Sequence, residues 1–153
     1  MNRFESEDSI GSALFIMRVV MFALIVGVSM FLGFVISQGA LSLPPQGSLI
    51  ASLGIIAAAI ALVTRFFTPA LFRTPRQADA ADEQFLRILF NRYLVNIAIL
   101  EGAAYLNVHA LQAEHNWWSL LIVNVLLLAI LMLFPTRTRL EQFLETARMD
   151  ASL

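Results

Sequence analysis

Two polar residues in otherwise apolar stretches are the first candidates for chemistry. Glu101 lies in the apolar stretch 93–106, and Asn124 lies in the stretch 117–134. If the turn between these stretches is centred on residues 111–114, both side chains lie at one depth in a helical hairpin. Carboxyl groups in hydrocarbon are normally turned inward and paired. We therefore predict a buried polar pair in which a protonated Glu101 is hydrogen-bonded to Asn124.

Three roles are open for this pair. The hydrogen bond could be structural and fix the register of two helices. Glu101 could instead take up and release a proton during ion or proton movement, because intramembrane carboxylates often mark such pathways. A contact between Glu101 and another subunit is the third possibility.

Arginine side chains form the second candidate set. All ten basic residues of the chain are arginine. Arg65, Arg87 and Arg92 lie where predicted helices meet a central polar connection, so they are candidates for contacts with lipid phosphate. Alternatively, they serve only to orient the helices across a membrane.

Metal binding and catalysis find little support in the sequence. His109 and His115 flank the same turn as Glu114, but they are six residues apart rather than the three or four that place ligands on one helical face. The chain has no cysteine, and no nucleophile, phosphate-binding or dinucleotide motif occurs. We therefore predict no enzyme, no metal and no cofactor. A net charge of -1 also excludes a nucleic-acid surface.

The composition indicates the elements that must position these residues. Apolar residues make up 59% of the chain and charged residues 14%, which is typical of a protein whose partner is the lipid bilayer. The hydropathy pattern predicts an all-α fold, an integral membrane four-helix bundle forming a single domain over residues 1–153. Its spans are predicted at about 14–37, 48–67, 85–108 and 117–134.

The distribution of arginine predicts the orientation of the spans. Segments 37–47 and 109–116 contain no arginine, whereas the central connection 70–84 and both terminal flanks carry it. Since cytoplasmic flanks retain basic residues, both termini and the central connection should face the cytoplasm.

After the fourth span the chain continues into a predicted amphipathic helix over residues 138–149. Thr138 and Glu141 have the spacing of a capping box. Leu140, Phe143 and Leu144 then follow at helical spacing and form an apolar stripe. This helix should lie on the headgroups or dock on a partner.

Small residues predict close helix packing on two spans. Ser29, Gly33 and Ser37 form a stripe on the first span, and Gly54 and Ala58 lie on the second. Such stripes let helix backbones approach closely. They could serve packing within the chain, self-association or contact with other membrane subunits.

The central hairpin combines the Gly/Ala-rich segment 54–61, the polar connection after it and the run Ile99-Leu100-Glu101-Gly102-Ala103-Ala104. In this combination it resembles the proteolipid subunits of rotary ATPases. The resemblance implies that Glu101 is an ion-carrying carboxylate.

The whole chain also resembles small uncharacterised bacterial four-span proteins. Arg92, the run 101–104 and the segment 134–137 carry that similarity. It implies a multi-pass protein of the bacterial inner membrane and no particular activity. From the sequence we expect a structural or accessory subunit of a membrane assembly. The alternatives are proton or ion translocation through Glu101, and anionic-lipid binding.

Overall fold

The residues described in the computed structural model form five helices. It describes the backbone of residues 3–71 and 82–151 and the side chains of residues 11–65, 67–68, 87–142 and 145–146. The helices are α1 (Arg3–Ser37), α2 (Leu49–Leu71), α3 (Asp82–Glu114), α4 (Trp117–Met132) and α5 (Arg137–Ala151). These described segments contain no strand, which confirms the predicted all-α class.

Two of the helices are long and apolar enough to cross a membrane. The segment Gly11–Ser37 of α1 has 27 residues, and Arg87–Glu114 of α3 has 28 residues. Shorter apolar helices cover Leu49–Arg65 and Trp117–Met132. A spanning helix needs about 20 residues, so length and composition qualify α1 and α3 by themselves.

The helix α3 forms the centre of the bundle. The helices α1, α2 and α4 all pack on it, α4 also contacts α1 and α2, and α5 contacts α3. Apolar residues that recur at helical spacing supply one inner face from each helix. The buried core includes Met21, Val28, Ala58, Ile97, Leu100, Ala104, Val108, Val123, Leu126 and Ile130.

The outer surface of the bundle is also apolar. Large apolar side chains are exposed on each of the first four helices, whereas the polar residues Asn107 and Ser119 are fully buried. Exposed apolar patches of this extent mark contact with a membrane or with other proteins. Examples of the exposed side chains are Phe15, Phe22, Leu49, Ile60, Val95, Leu121 and Leu128.

One buried carboxylate joins the two turns at one end of the bundle. Glu114, the last residue of α3, accepts hydrogen bonds from the backbone N–H groups of Ile50 at 2.7 Å and Ala51 at 2.9 Å. Its backbone oxygen accepts a bond from the N–H of Gln46 at 2.7 Å. The carboxylate therefore satisfies free N–H groups in the first turn of α2. Glu114 is therefore a buried residue, although its place at the end of α3 beside the turn would suit a solvated one.

Two polar contacts join α2 to α3 inside the bundle. Asn107 donates its amide to the carbonyl oxygens of Gly54 at 2.9 Å and Ala103 at 2.8 Å. Towards the other end of α2, the hydroxyl of Thr68 donates to Oδ1 of Asn96 at 2.7 Å. Buried polar groups need such partners, so these contacts fix the register of the two helices.

The helix α5 begins one residue earlier than the sequence predicts. Its first turn is capped by Thr136, whose Oγ1 accepts a bond from the N–H of Arg139 at 3.4 Å. The predicted capping box starting at Thr138 is therefore wrong. Leu140 of the predicted stripe is buried against the bundle. The side chains of Phe143 and Leu144 lie outside the described residues.

Candidate functional site: an arginine-lined cavity

A cavity of about 320 Å³ lies at the corner between α4 and α5. Its walls come from α1, α2, α3, the corner itself and the first turn of α5. We call it the arginine cavity. The residues lining it are Leu14, Met17, Arg65, Leu89, Arg92, Tyr93, Asn96, Leu133, Phe134, Pro135, Thr136, Arg139 and Leu140.

Three helices each contribute one arginine to this cavity. Arg65 comes from α2, Arg92 from α3 and Arg139 from α5. Arg65 and Arg92 are partly buried, and neither makes a hydrogen bond or ion pair with a described residue. Arg139 donates from Nη1 to the carbonyl oxygen of Met132 at 2.8 Å. The described lining contains no acidic residue.

The corner that closes the cavity is held by residues of α1 and α3. Arg18 donates from Nε to the carbonyl oxygen of Pro135 at 3.3 Å, and its Cζ lies 5.7 Å from the centre of the Phe134 ring. Tyr93 donates its hydroxyl to the carbonyl oxygen of Leu133 at 2.6 Å. These contacts satisfy carbonyl oxygens of the corner residues Leu133 and Pro135, which follow the end of α4.

The beginning of α5 adds to the positive potential of the cavity. Thr136, the capping residue of that helix, is part of the lining. A helix N-terminus carries a partial positive charge and free N–H groups that favour anions. The backbone and the arginines therefore attract the same kind of ligand.

The arrangement suits the binding of an oxyanion. Removing a guanidinium group from water without a counter-charge costs free energy, and an anion at Arg65 and Arg92 would offset that cost. Guanidinium groups also match phosphate and carboxylate oxygens through paired hydrogen bonds. The described lining contains no histidine, aspartate or glutamate that could act as a base beside such an anion.

The arginines predicted to contact lipid phosphate fall into two groups. Arg65 and Arg92 line the cavity together, whereas Arg87 is exposed and is not part of the lining. Arg139 is a lining residue that sequence reasoning missed. Arg139 follows the end of α4 in the sequence. The chain changes direction at the corner near Pro135, and this change brings Arg139 back against the bundle.

The predicted pair of Glu101 and Asn124 does not form. Asn124 is exposed, and its amide donates to the carbonyl oxygen of Leu120 in its own helix at 2.8 Å. Glu101 is partly exposed and has no hydrogen bond to a described residue. The two helices are joined at residues 115–116, so Asn124 lies about six residues nearer the turn, roughly 9 Å along the axis at 1.5 Å per residue.

The small residues predicted to form close helix contacts are buried on α2 but exposed on α1. On α2, Gly54 and Ala58 are buried, and Gly54 lies against Asn107. On α1, by contrast, Ser29, Gly33 and Ser37 are all exposed, and no atom lies within 4 Å of the place where a Cβ would stand on Gly33. The stripe on α1 therefore faces away from the bundle.

Comparison of the chain with family models, curated proteins and solved structures gives no match. The resemblance of the central hairpin to proteolipid subunits stays a prediction. Any assignment of function must therefore start from the residues of the arginine cavity.

Proposed function

We propose that the chain is a four-span membrane protein with both termini and the arginine cavity on the cytoplasmic side. The apolar outer surface of α1, α2, α3 and α4 supports insertion of all four helices. Arginine at one end of the bundle and its absence from the turns at the other end support this orientation. The α5 helix then lies at the cytoplasmic face.

We further propose that the protein binds an anionic group in the arginine cavity. The observation that carries this proposal is the convergence of Arg65, Arg92 and Arg139 from separate helices on one cavity without a described acidic neighbour. Surface arginines that only orient helices need not converge. The ligand chemistry is that of a phosphate or phosphodiester group, which accepts several hydrogen bonds from guanidinium groups.

Ligand-dependent stability of the purified chain tests this function. The protein in an uncharged detergent is titrated with inorganic phosphate, glycerol phosphate or phosphatidylglycerol, and thermal unfolding is followed by circular dichroism. A ligand that binds the folded state raises the unfolding temperature with its concentration. Diacylglycerol, which has no phosphate, is the control ligand.

Arginine variants test whether the stabilisation of the protein by an anion comes from binding in the arginine cavity. In Arg92→Gln we expect affinity for the stabilising anion to fall about tenfold, the effect of losing about one charge-assisted hydrogen bond. Arg87→Gln is the matched control, since Arg87 lies on the same helix but outside the cavity. If no anion stabilises the protein, or if both variants lose affinity equally, the proposed function is wrong.

A role as a structural or accessory subunit is the second candidate. It is favoured by the stripe of Ser29, Gly33 and Ser37, which leaves an open, closely approachable surface on α1. Small residues at such positions are typical of helix–helix contacts in membranes. The partner would then be another membrane helix.

The size of the native complex tests the accessory role. Gly33→Ile should reduce the size of the complex extracted in mild detergent, because the side chain fills the open space above the helix. Met30→Ile is the control, since that exposed position already carries a large apolar side chain. A complex of unchanged size in both variants would exclude a contact through this stripe.

A further inference from the structure

The walls of the arginine cavity are as much apolar as cationic. Leu14 and Met17 from α1 and Leu140 from α5 are nearly fully buried residues of the lining. Leu89, Leu133, Phe134 and Pro135 add further apolar wall. A small soluble anion gains nothing from such walls, because they offer it no hydrogen bonds.

The volume of the cavity also exceeds what a bare phosphate group needs. At about 320 Å³ it falls at the lower end of the range of roughly 300–1,000 Å³ found for pockets that hold drug-sized ligands. The apolar lining moreover continues to the outside, because Phe134 lines the cavity and leaves 42% of its surface exposed. In a membrane, that exposed surface would meet lipid chains.

We infer that the occupant is a phospholipid of the adjacent leaflet, with its phosphodiester at Arg65, Arg92 and Arg139 and the start of its acyl chains along Leu14 and Phe134. This inference rests on the proposed function and names the ligand of the same cavity. A guanidinium cluster beside apolar walls matches a molecule that joins a phosphate to hydrocarbon. Inorganic phosphate and glycerol phosphate share the anionic part alone.

A ligand series separates these sources of phosphate. The unfolding temperature of the full chain is titrated with inorganic phosphate, glycerol phosphate, phosphatidylglycerol and diacylglycerol in the same uncharged detergent. We expect phosphatidylglycerol to bind at least about tenfold more tightly than glycerol phosphate, since two or more buried methylene groups contribute that much. Diacylglycerol, which lacks the phosphate, should give no stabilisation that depends on Arg92.

Variants of the apolar wall test whether the lipid binds in the arginine cavity or is only enriched in the detergent micelle. Phe134→Ala should weaken binding of phosphatidylglycerol by at least about threefold more than it weakens binding of glycerol phosphate, because only the lipid contacts the apolar wall. Loss of the contact between the Phe134 ring and Arg18 would affect both ligands alike. Phe22→Ala is the matched control, an exposed phenylalanine of α1 that is not part of the lining. It should leave both affinities unchanged.

The outcomes distinguish failure of this inference from failure of the proposed function. If glycerol phosphate binds as tightly as phosphatidylglycerol and depends on Arg92, the cavity binds a soluble anion and the lipid assignment is wrong. If Phe134→Ala and Phe22→Ala weaken the lipid equally, the lipid assignment is also wrong. If no ligand in the series depends on Arg92, the anion-binding function itself fails.

Discussion

Asn107 on α3 contacts the backbone of Gly54 on α2 without space for a side chain between them. The Asn107 amide donates to the Gly54 carbonyl oxygen at 2.9 Å. A Cβ added to Gly54 would stand 2.6 Å from Asn107 Oδ1 and 3.2 Å from its Nδ2. The close approach of α2 and α3 therefore depends on glycine at position 54.

We expect Gly54→Ala to lower the free energy of unfolding by about 1–3 kcal/mol, because the new methyl group must displace the buried amide of Asn107. Denaturant titration in detergent, followed by circular dichroism, measures this change. Gly102→Ala is the control, since no atom lies within 4 Å of its added Cβ. Alanine favours a helix more than glycine, so that variant should be neutral or more stable. Equal losses in both variants would contradict the packing of Gly54 on Asn107.

The Glu114 carboxylate gives a second prediction. Glu114→Ala should cost about 1–3 kcal/mol of unfolding free energy, because it leaves the partly buried N–H of Ile50 and the buried N–H of Ala51 without acceptors. Glu114→Gln keeps one acceptor oxygen and should lose less. His109→Ala, an exposed change on the same helix, serves as the control. Amide hydrogen exchange at Ile50 and Ala51 should rise in Glu114→Ala and stay slow in the control.

The Tyr93 hydroxyl should stabilise the corner between α4 and α5. Tyr93→Phe removes the donor to the Leu133 carbonyl oxygen, and we expect a loss of about 0.5–1.5 kcal/mol. Tyr105→Phe is the matched control, because the Tyr105 hydroxyl has no hydrogen bond to a described residue. If denaturant titration gives the two variants the same stability, the Tyr93 hydroxyl does not hold the corner.

Glu101 and Asn124 should act independently. Since their side chains form no hydrogen bond with each other, a double-mutant cycle of Glu101→Gln and Asn124→Ala should give a coupling energy within about 0.5 kcal/mol of zero. Unfolding free energies of the wild type, the two single variants and the double variant supply the cycle. A coupling energy above about 1 kcal/mol would restore the hydrogen-bonded pair.

Cysteine labelling can test the proposed orientation, because the chain has no cysteine of its own. In intact cells, a cysteine introduced at Gln46 should react with a membrane-impermeant reagent. A cysteine introduced at Thr138 should react only after the membrane is permeabilised. Both residues are exposed, so access of the reagent depends on the side of the membrane. The reverse labelling pattern would overturn the orientation.

Sequence reasoning could predict the helices but not their rotation about their axes. Apolar residues lie on every side of α4, so hydropathy alone does not distinguish its inner face at Val123 and Leu126 from its outer face at Val125 and Leu128. The depth argument for Glu101 and Asn124 also assumed a turn inside what is the end of α3. With the turn moved to residues 115–116, the two residues no longer lie at one level.

The candidate site could be predicted only in part, because the sequence does not show which distant residues the fold brings together. Clustering of charge along the sequence singles out Arg65 and Arg92. Arg139 joins them only because α5 turns back at Pro135, and that contact is long-range. The sequence does not predict the roles of Asn107 and Glu114, because a polar residue near a helix end is typical of a solvated turn. The partners that α2 supplies, the Gly54 carbonyl oxygen and the N–H groups of Ile50 and Ala51, depend on the packing of α2 on α3.

The position of Glu114 has a consequence for biosynthesis. Glu114 accepts hydrogen bonds from two N–H groups whose residues precede it in the chain by 64 and 63 positions. When the ribosome has completed α2, the residue that will satisfy its first turn has not yet been synthesised. The first turn of α2 therefore stays without these acceptors until α3 has been synthesised to its last residue and has packed on α2. Glu114 then caps α2, so this end of the fold can be completed only after the third helix has been made.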